Sequence, residues 1–312
     1  MENILNALLQ KSKEKSDFAK RINSKVAIKY LKKWLWISIR TILIAGLSYV
    51  LLYPLIYMLS TALRPYEQIL DPSVVWIPKS LTLENFRQAA RLMSYPTTFF
   101  NSVKITLVSS ALSIISCGLA GYGFARFKFK GRDILFAGVI LSLIVPPQVF
   151  MTPSYLEFRF FDGFGLFNIL KAITGKDYTV NLIGNALSIY LPAAFGMGLR
   201  SGLFIYIFRQ FFRGIPKELE EAAYIDGYGA VSTFIKIIVP NAVPAVVTVF
   251  LFSVVWYWND YYTMEIFMNT QPTLSVVLSQ LRYRILNDLQ LMQQVDEYLY
   301  ITWIQAGCLL TI

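Results

Sequence analysis

Six apolar segments separated by charged connections limit what this 312-residue chain can fold into. A helix needs about 20 apolar residues to cross a bilayer. The segments are residues 34–63, 102–124, 134–151, 187–212, 242–257 and 299–312. We therefore predict an all-α fold, a polytopic membrane helix bundle of about six spans.

The last apolar segment is too short to cross a bilayer. Two explanations are open: the chain is a fragment, or its last helix ends inside the membrane. A free carboxylate in hydrocarbon is costly, which favours truncation.

Composition agrees with a membrane protein. Apolar residues make up 55% of the chain and charged residues 15%, and the mean hydropathy is +0.50. A soluble domain is about a quarter charged. The net charge of +10 does not indicate nucleic acid binding. The basic residues cluster beside apolar segments, where insertion topology and anionic lipid account for them.

The residue types that catalysis and metal binding usually require are scarce. The chain contains no histidine, the commonest general base and metal ligand. Cys117 and Cys308 lie in apolar segments and form neither a disulfide framework nor a zinc spacing. No phosphate-binding G-x-x-x-x-G-K-[ST] loop is present. We expect no catalytic residue, no metal and no cofactor in this chain.

The charge of the connections alternates along the chain. Residues 1–33 form a Lys-rich tail. Most of the basic residues of the chain lie in this tail and in two connections, 126–133 and 209–236. The other connections hold fewer, and 259–298 is acidic. The positive-inside rule therefore places the N-terminus and residues 209–236 in the cytoplasm. Within the tail, Ile4, Leu8 and Leu9 form a short interfacial helix or belong to a solvated segment that only sets topology.

Residues 213–240, which we call the elbow, are a polar segment between two apolar ones. Pro216 suits the first turn of a helix, and Gly227 suits a left-handed residue that ends it. A second helical pattern follows, up to Pro240. Helical spacing places Leu219, Ala222, Ala223 and Asp226 on one face. We predict a rigid helix–glycine–helix structure suited to docking a soluble partner.

The elbow resembles a known motif. Glu221-Ala222-Ala223 is followed by three residues, Gly227, nine residues, Ile237, one residue, Val239 and Pro240. This pattern is similar to the loop of binding-protein-dependent ABC importer permeases, in which a leucine stands at the position of Val239. Other stretches of the chain resemble the carbohydrate-uptake branch of this family in particular. They are residues 209–220, Ala125-Arg126-Phe127, Gly131-Arg132, Pro146-Pro147-Gln148-Val149 and Trp258-Asn259-Asp260.

The resemblance covers the chain from about Trp34 onward and implies a type I ABC importer permease fold over residues 34–312. It implies that the elbow is a coupling helix in a cleft of an ATPase subunit. The residues that would couple to the ATPase are Glu221, Ala222, Ala223, Asp226 and Gly227. The implied partners are a second permease, two ATPase subunits that hydrolyse ATP, and an extracellular solute-binding protein.

The implied function is ATP-driven import of a carbohydrate by alternating access. Three rivals remain: a permease for another solute, a membrane-embedded enzyme, and a secondary carrier. The absence of histidine from the sequence counts against a membrane-embedded enzyme. A carrier driven by protons or sodium would have acidic residues deep in its spans, and the sequence has almost none there. Residues 152–186 form a turn-rich outer loop that receives the solute-binding protein or packs against the second permease.

A second group of residues could line the translocation path or a gate: Arg200, Trp256, Asn259 and Asp260. Intramembrane charges usually face a cavity or a partner, but Arg200 could also snorkel to the outer interface. Aromatic rings with Asn and Asp suit sugar contact, and they also suit an interfacial aromatic belt.

Overall fold

The computed structural model describes residues 2–69, 71, 77–176, 178–291 and 299–312. The described residues are mostly helical and form no strand, although one antiparallel bridge joins Phe161 to Val180. The all-α prediction is confirmed. The helices are α1 (Glu2–Ala62), α2 (Glu84–Leu92), α3 (Tyr95–Arg126), α4 (Arg132–Ile144), α5 (Gln148–Arg159), α6 (Leu166–Thr174), α7 (Leu187–Ala194), α8 (Ser201–Gly214), α9 (Glu218–Ile225), α10 (Ala230–Thr233), α11 (Val239–Asn241), α12 (Val243–Asn259), α13 (Tyr262–Phe267), α14 (Leu274–Leu291) and α15 (Leu299–Thr311).

Residues Met1–Ser80 form one compact unit. Its helix α1 is 61 residues long and passes the predicted boundary at residue 33 without a break. Pro54 lies inside α1 and does not end it. The side chains of residues 2–28 lie outside the described residues. Whether the tail forms an interfacial helix or a solvated segment therefore stays a prediction. The division of the chain into a tail, residues 1–33, and a membrane domain, residues 34–312, also stays a prediction.

Residues Leu81–Ile312 form the second unit, in which α3 packs against α7, α8 and α12. The buried face of α3 carries small side chains, which let neighbouring membrane helices approach closely. At Gly121 an added Cβ would lie 2.6 Å from the Cβ of Phe208. The buried small residues of α3 include Ser102, Thr106, Ser109, Ser110, Ser113, Cys117, Gly118 and Gly121.

Segment 134–151, predicted as one span, consists of α4 and the start of α5. The two helices are bent by 105°. Pro146 and Pro147 lie at the bend, where proline lacks the N–H of a continuing helix and pushes the residue before it out of the helical region. Residues 152–186 also differ from the predicted turn-rich loop, because they contain the rest of α5 and all of α6.

Segment 187–212, also predicted as one span, is broken. Helix α7 ends at Ala194 and α8 begins at Ser201. Between them Gly196 has φ 69° and Arg200 has φ 58°, which lie in the left-handed region and cannot continue a right-handed helix. The prediction of a continuous fourth span is therefore wrong.

Two described helices are long and apolar enough to cross a membrane alone: Lys29–Ala62 within α1, and α3. The number rises to four if each of two bent pairs is one span: α4 with α5, and Ala230–Asn241 with α12. Helices α12 and α15 fall where the last two apolar segments predicted helices. The total of six spans stays a prediction.

Candidate functional site

The elbow folds into two helical parts that meet at Gly227, as predicted. Helix α9 ends with two hydrogen bonds: the Gly227 N–H donates to the Tyr224 carbonyl at 3.1 Å, and the Tyr228 N–H donates to the Ala223 carbonyl at 2.9 Å. This pair of bonds is a Schellman motif, which requires a left-handed residue after the helix. Gly227 supplies it with φ 86°.

The second part of the elbow runs without a gap through α10, a π-helical turn at Phe234–Ile238, and α11. A bend of 74° then leads into α12. Pro244 lies in the first turn of α12, where the missing N–H needs no helical partner. The elbow is therefore continuous with an apolar helix.

Helix α9 has a buried side and an exposed side. Glu220 and Ala223 are buried, whereas Glu221, Ala222 and Asp226 are exposed. Successive positions of an α-helix point about 100° apart, since each turn takes about 3.6 residues. The predicted face of Leu219, Ala222, Ala223 and Asp226 therefore does not dock as one surface, because Ala223 faces the protein and the other three residues are exposed.

One further feature of α9 differs from the prediction, and a second was not predicted. The helix begins at Glu218, so Pro216 lies before its first turn. Ile225 is 87% exposed, beside the exposed Tyr224. An apolar side chain this exposed at a helix end is available to a partner, and the sequence motif did not single it out.

A buried ion pair attaches the elbow to α3. The Nε of Arg126 lies 2.6 Å from Oε1 of Glu220, and the two side chains are only 6% and 11% exposed. The Nη2 of Arg126 also donates a hydrogen bond to the Ile215 carbonyl at 2.8 Å. One guanidinium, at the last residue of α3, therefore holds both the connection before α9 and α9 itself.

Tyr122, one turn before Arg126, completes this attachment. Its hydroxyl donates to Oε2 of Glu220 at 3.5 Å. Its ring centroid lies 4.7 Å from that of Phe234 in the elbow and 5.6 Å from that of Phe212 in α8. We call Arg126, Glu220 and Tyr122 the anchor. The anchor could not be predicted from the sequence, because Arg126 and Glu220 belong to different segments and no local pattern indicates that they pair.

Part of the second candidate group comes together at the break before α8. Arg200 is exposed, and its backbone carbonyl accepts the N–H groups of Leu203 and Phe204. Its guanidinium carbon lies 5.7 Å from the ring centroid of Trp256 in α12, within the range of a cation–π interaction. The Trp256 ring in turn packs against Phe204, at 5.6 Å between centroids.

Asn259 and Asp260 lie at the C-terminal end of the helix that carries Trp256. The Asn259 amide donates to the Val255 carbonyl of its own helix at 2.7 Å. The Asp260 carboxylate accepts the Thr263 N–H at 3.2 Å, at the start of α13. These bonds give both side chains a local structural role, and no contact between them and Arg200 is among those described.

Comparison with known proteins identifies the class of molecule that carries this geometry. Residues 113–312 match the family model described as the binding-protein-dependent transport system inner membrane component. The trehalose transport system permease protein SugB of Mycobacterium tuberculosis is 31% identical over 209 residues, which cover 67% of this chain and 68% of that protein. The arabinooligosaccharides transport system permease protein AraQ of Halalkalibacterium halodurans is 28% identical over 224 residues, which cover 71% and 72%.

A solved structure shares the fold. The similar chain comes from a bacterial ABC transporter involved in the import of the acidic polysaccharide alginate. The two structures have a TM-score of 0.69 and 19% sequence identity, and the match covers 89% of this chain and 91% of that one. The type I importer permease fold is therefore confirmed. The elbow, the anchor and the Arg200–Trp256 pair all lie within the matched residues, and the chain belongs to the family of binding-protein-dependent transport system inner membrane components.

Proposed function

We propose that this chain is one membrane-spanning subunit of an ABC importer that moves a carbohydrate into the cell by ATP-driven alternating access. The observation that carries the proposal is the elbow, a helix pair attached to α3 by the anchor and continuous with α12. Similar chains described as permeases for trehalose and arabinooligosaccharides support the substrate class.

Coupling requires that a movement of the elbow reach the membrane helices instead of being absorbed. The Schellman turn at Gly227 sets the angle between the two parts of the elbow. The anchor links α9 to the end of α3, and the second part leads into α12. Closure of an ATPase dimer against α9 would thus move two helices of the bundle together.

The exposed side of α9 is the surface that we assign to the ATPase. Glu221 is free to accept hydrogen bonds or pair with a basic residue of the partner, and Ala222 permits close approach. Tyr224 and Ile225 add exposed apolar area. Gly227 and Asp226 form the turn, and buried Ala223 supports α9 from the protein side.

The complete transporter would contain a second, different permease subunit, two ATPase subunits that carry out ATP hydrolysis, and an extracellular solute-binding protein. The positive-inside rule supports a cytoplasmic N-terminus and a cytoplasmic elbow. Residues 152–186, including α6, would then face outward and contact the solute-binding protein or the second permease.

Co-purification and uptake together test this proposal. An affinity-tagged chain expressed in its native cells should retain an ATPase and a second permease in mild detergent. Uptake of radiolabelled di- and oligosaccharides by those cells should disappear when the gene is deleted. Uptake that persists with ATP depleted and the proton gradient intact would indicate a secondary carrier. Loss of amino acid or peptide uptake alone would replace the carbohydrate assignment.

We further propose that the Arg200–Trp256 pair lies on the translocation path or at its outer gate. In Arg200→Glu the cation–π contact is lost and the charge is reversed, so the initial uptake rate should fall by at least about five-fold, the factor for roughly 1 kcal/mol. The Arg200→Lys control keeps a cation and should retain most activity. Normal uptake in Arg200→Glu would favour snorkelling at the interface.

A further inference from the structure

A group of basic residues lies where α3 ends, α4 begins and α8 ends. None of them belongs to the anchor, to the exposed side of α9 or to the Arg200–Trp256 pair. Lys128 lies in the connection between α3 and α4, and Arg132 is the first residue of α4. Arg209 and Arg213 lie in the last turns of α8. Arg213 and Arg132 are both close enough to act on the charge of Arg209. We call these four residues the basic cluster.

The positive charge of the basic cluster is poorly compensated within the described residues. The nearby acid is Asp133, which is 79% exposed and pairs with Arg132 at 3.0 Å. The guanidinium of Arg209 lies 3.8 Å from the Phe136 ring centroid. Its Nε is buried and has no hydrogen-bond acceptor among the described residues. The positive charge of Arg209 is therefore not neutralised by a carboxylate in direct contact with it among the described residues, and it adds to the field of the cluster.

An open cleft of about 400 Å³ adjoins the cluster. Its lining combines the cations Lys128 and Arg132, the carboxylate of Asp133, which pairs with Arg132, and the apolar side chains Phe129 and Ile134. Phe129 is 45% exposed and Ile134 is 79% exposed. Cationic groups beside exposed apolar side chains match a molecule with an anionic end and a hydrocarbon end.

We propose that this cleft binds the phosphate of an anionic phospholipid through Lys128 and Arg132, with acyl chains along Phe129 and Ile134, while Arg209 and Arg213 add positive charge nearby. A free phosphate ion would satisfy the cations but would leave the apolar lining in contact with water. Phospholipid satisfies both, and the cluster lies at the ends of apolar helices of a membrane protein. The proposal depends neither on the transported solute nor on which side of the membrane the elbow faces.

Native mass spectrometry of the detergent-purified transporter, titrated with phosphatidylglycerol or phosphatidylcholine, tests the site. Phosphatidylglycerol should be retained preferentially. Lys128→Gln/Arg132→Gln should weaken its binding by about ten-fold, since each cation near an anionic lipid contributes up to about five-fold and salt screens part of it. Lys128 is exposed and the Arg132 side chain is 30% exposed, so this variant should fold and assemble normally.

Two controls keep the test specific. Lys176→Gln removes an exposed cation from another connection and should leave phosphatidylglycerol retention unchanged. Millimolar inorganic phosphate should not displace the lipid. Equal retention of both lipids, an equal loss in Lys176→Gln, no loss in the double variant, or displacement by inorganic phosphate would each overturn the proposal.

Discussion

Glu220→Leu should abolish uptake while the chain still inserts into the membrane. The substitution leaves the Arg126 guanidinium buried without its carboxylate, and breaking a buried ion pair from one side costs about 3–5 kcal/mol. The lost free energy weakens the packing of α9 against α3. The equilibrium constant for separation of α9 from α3 should therefore rise by a factor of about 100 or more. Uptake in intact cells and the thermal stability of the purified transporter should both fall.

Removing both charges separates coupling from simple misfolding. In Arg126→Met/Glu220→Leu no charge stays buried, and apolar replacement of a buried ion pair is often neutral or stabilising. The double variant should therefore recover thermal stability and at least part of the uptake lost in Glu220→Leu. Glu218→Gln, at an exposed position of the same helix, is the matched control and should behave as wild type. Full uptake in Glu220→Leu would contradict a coupling role for the anchor.

The second large effect is expected at Gly227. Its φ of 86° suits glycine, and a β-branched residue held there costs about 1–3 kcal/mol. An added Cβ would meet no atom within 4 Å, so the cost of Gly227→Val is purely conformational. The turn should open and the angle between the two parts of the elbow should change. We expect uptake to fall by about ten-fold or more, with normal membrane insertion.

The neighbouring glycine provides an unusually close control for this experiment. Gly229 also has open space around it, but its φ of −74° is one that any residue adopts. Gly229→Val should therefore leave uptake nearly normal. Gly227→Asn should be intermediate, because asparagine tolerates the left-handed conformation better than valine. If the two valine variants transport equally well, the conformation of Gly227 has no part in coupling.

Features that depend on neighbouring residues could be predicted from the sequence. The glycine turn of the elbow follows from local backbone chemistry, and it is observed. The breaks at 145–147 and 195–200 were missed, because apolar composition is the same in a straight and in a broken span. Prolines and glycines mark these breaks, but they also occur inside continuous membrane helices, as Pro54 does in α1.

Features that join distant segments could not be predicted. The spacing of the α9 motif suggests a docking face, but it cannot show that Ala223 points inward or that Glu220 meets Arg126. Residue chemistry alone predicts one role, on the translocation path or at a gate, for Arg200, Trp256, Asn259 and Asp260. The structure separates them: Arg200 and Trp256 are in contact, whereas Asn259 and Asp260 make local hydrogen bonds.

The tight contact at Gly121 has a mechanical consequence for α3. Because Phe208 fills the space where a side chain would be, α3 and α8 cannot come closer at this contact, and a tilt of α3 against α8 would pivot about it. With a rise of about 1.5 Å per residue, the arm from Gly121 to Arg126 is roughly 8 Å, and the arm to Thr98 is roughly 35 Å. A tilt that moves the anchored end of α3 by about 1 Å would therefore swing its far end by more than about 4 Å.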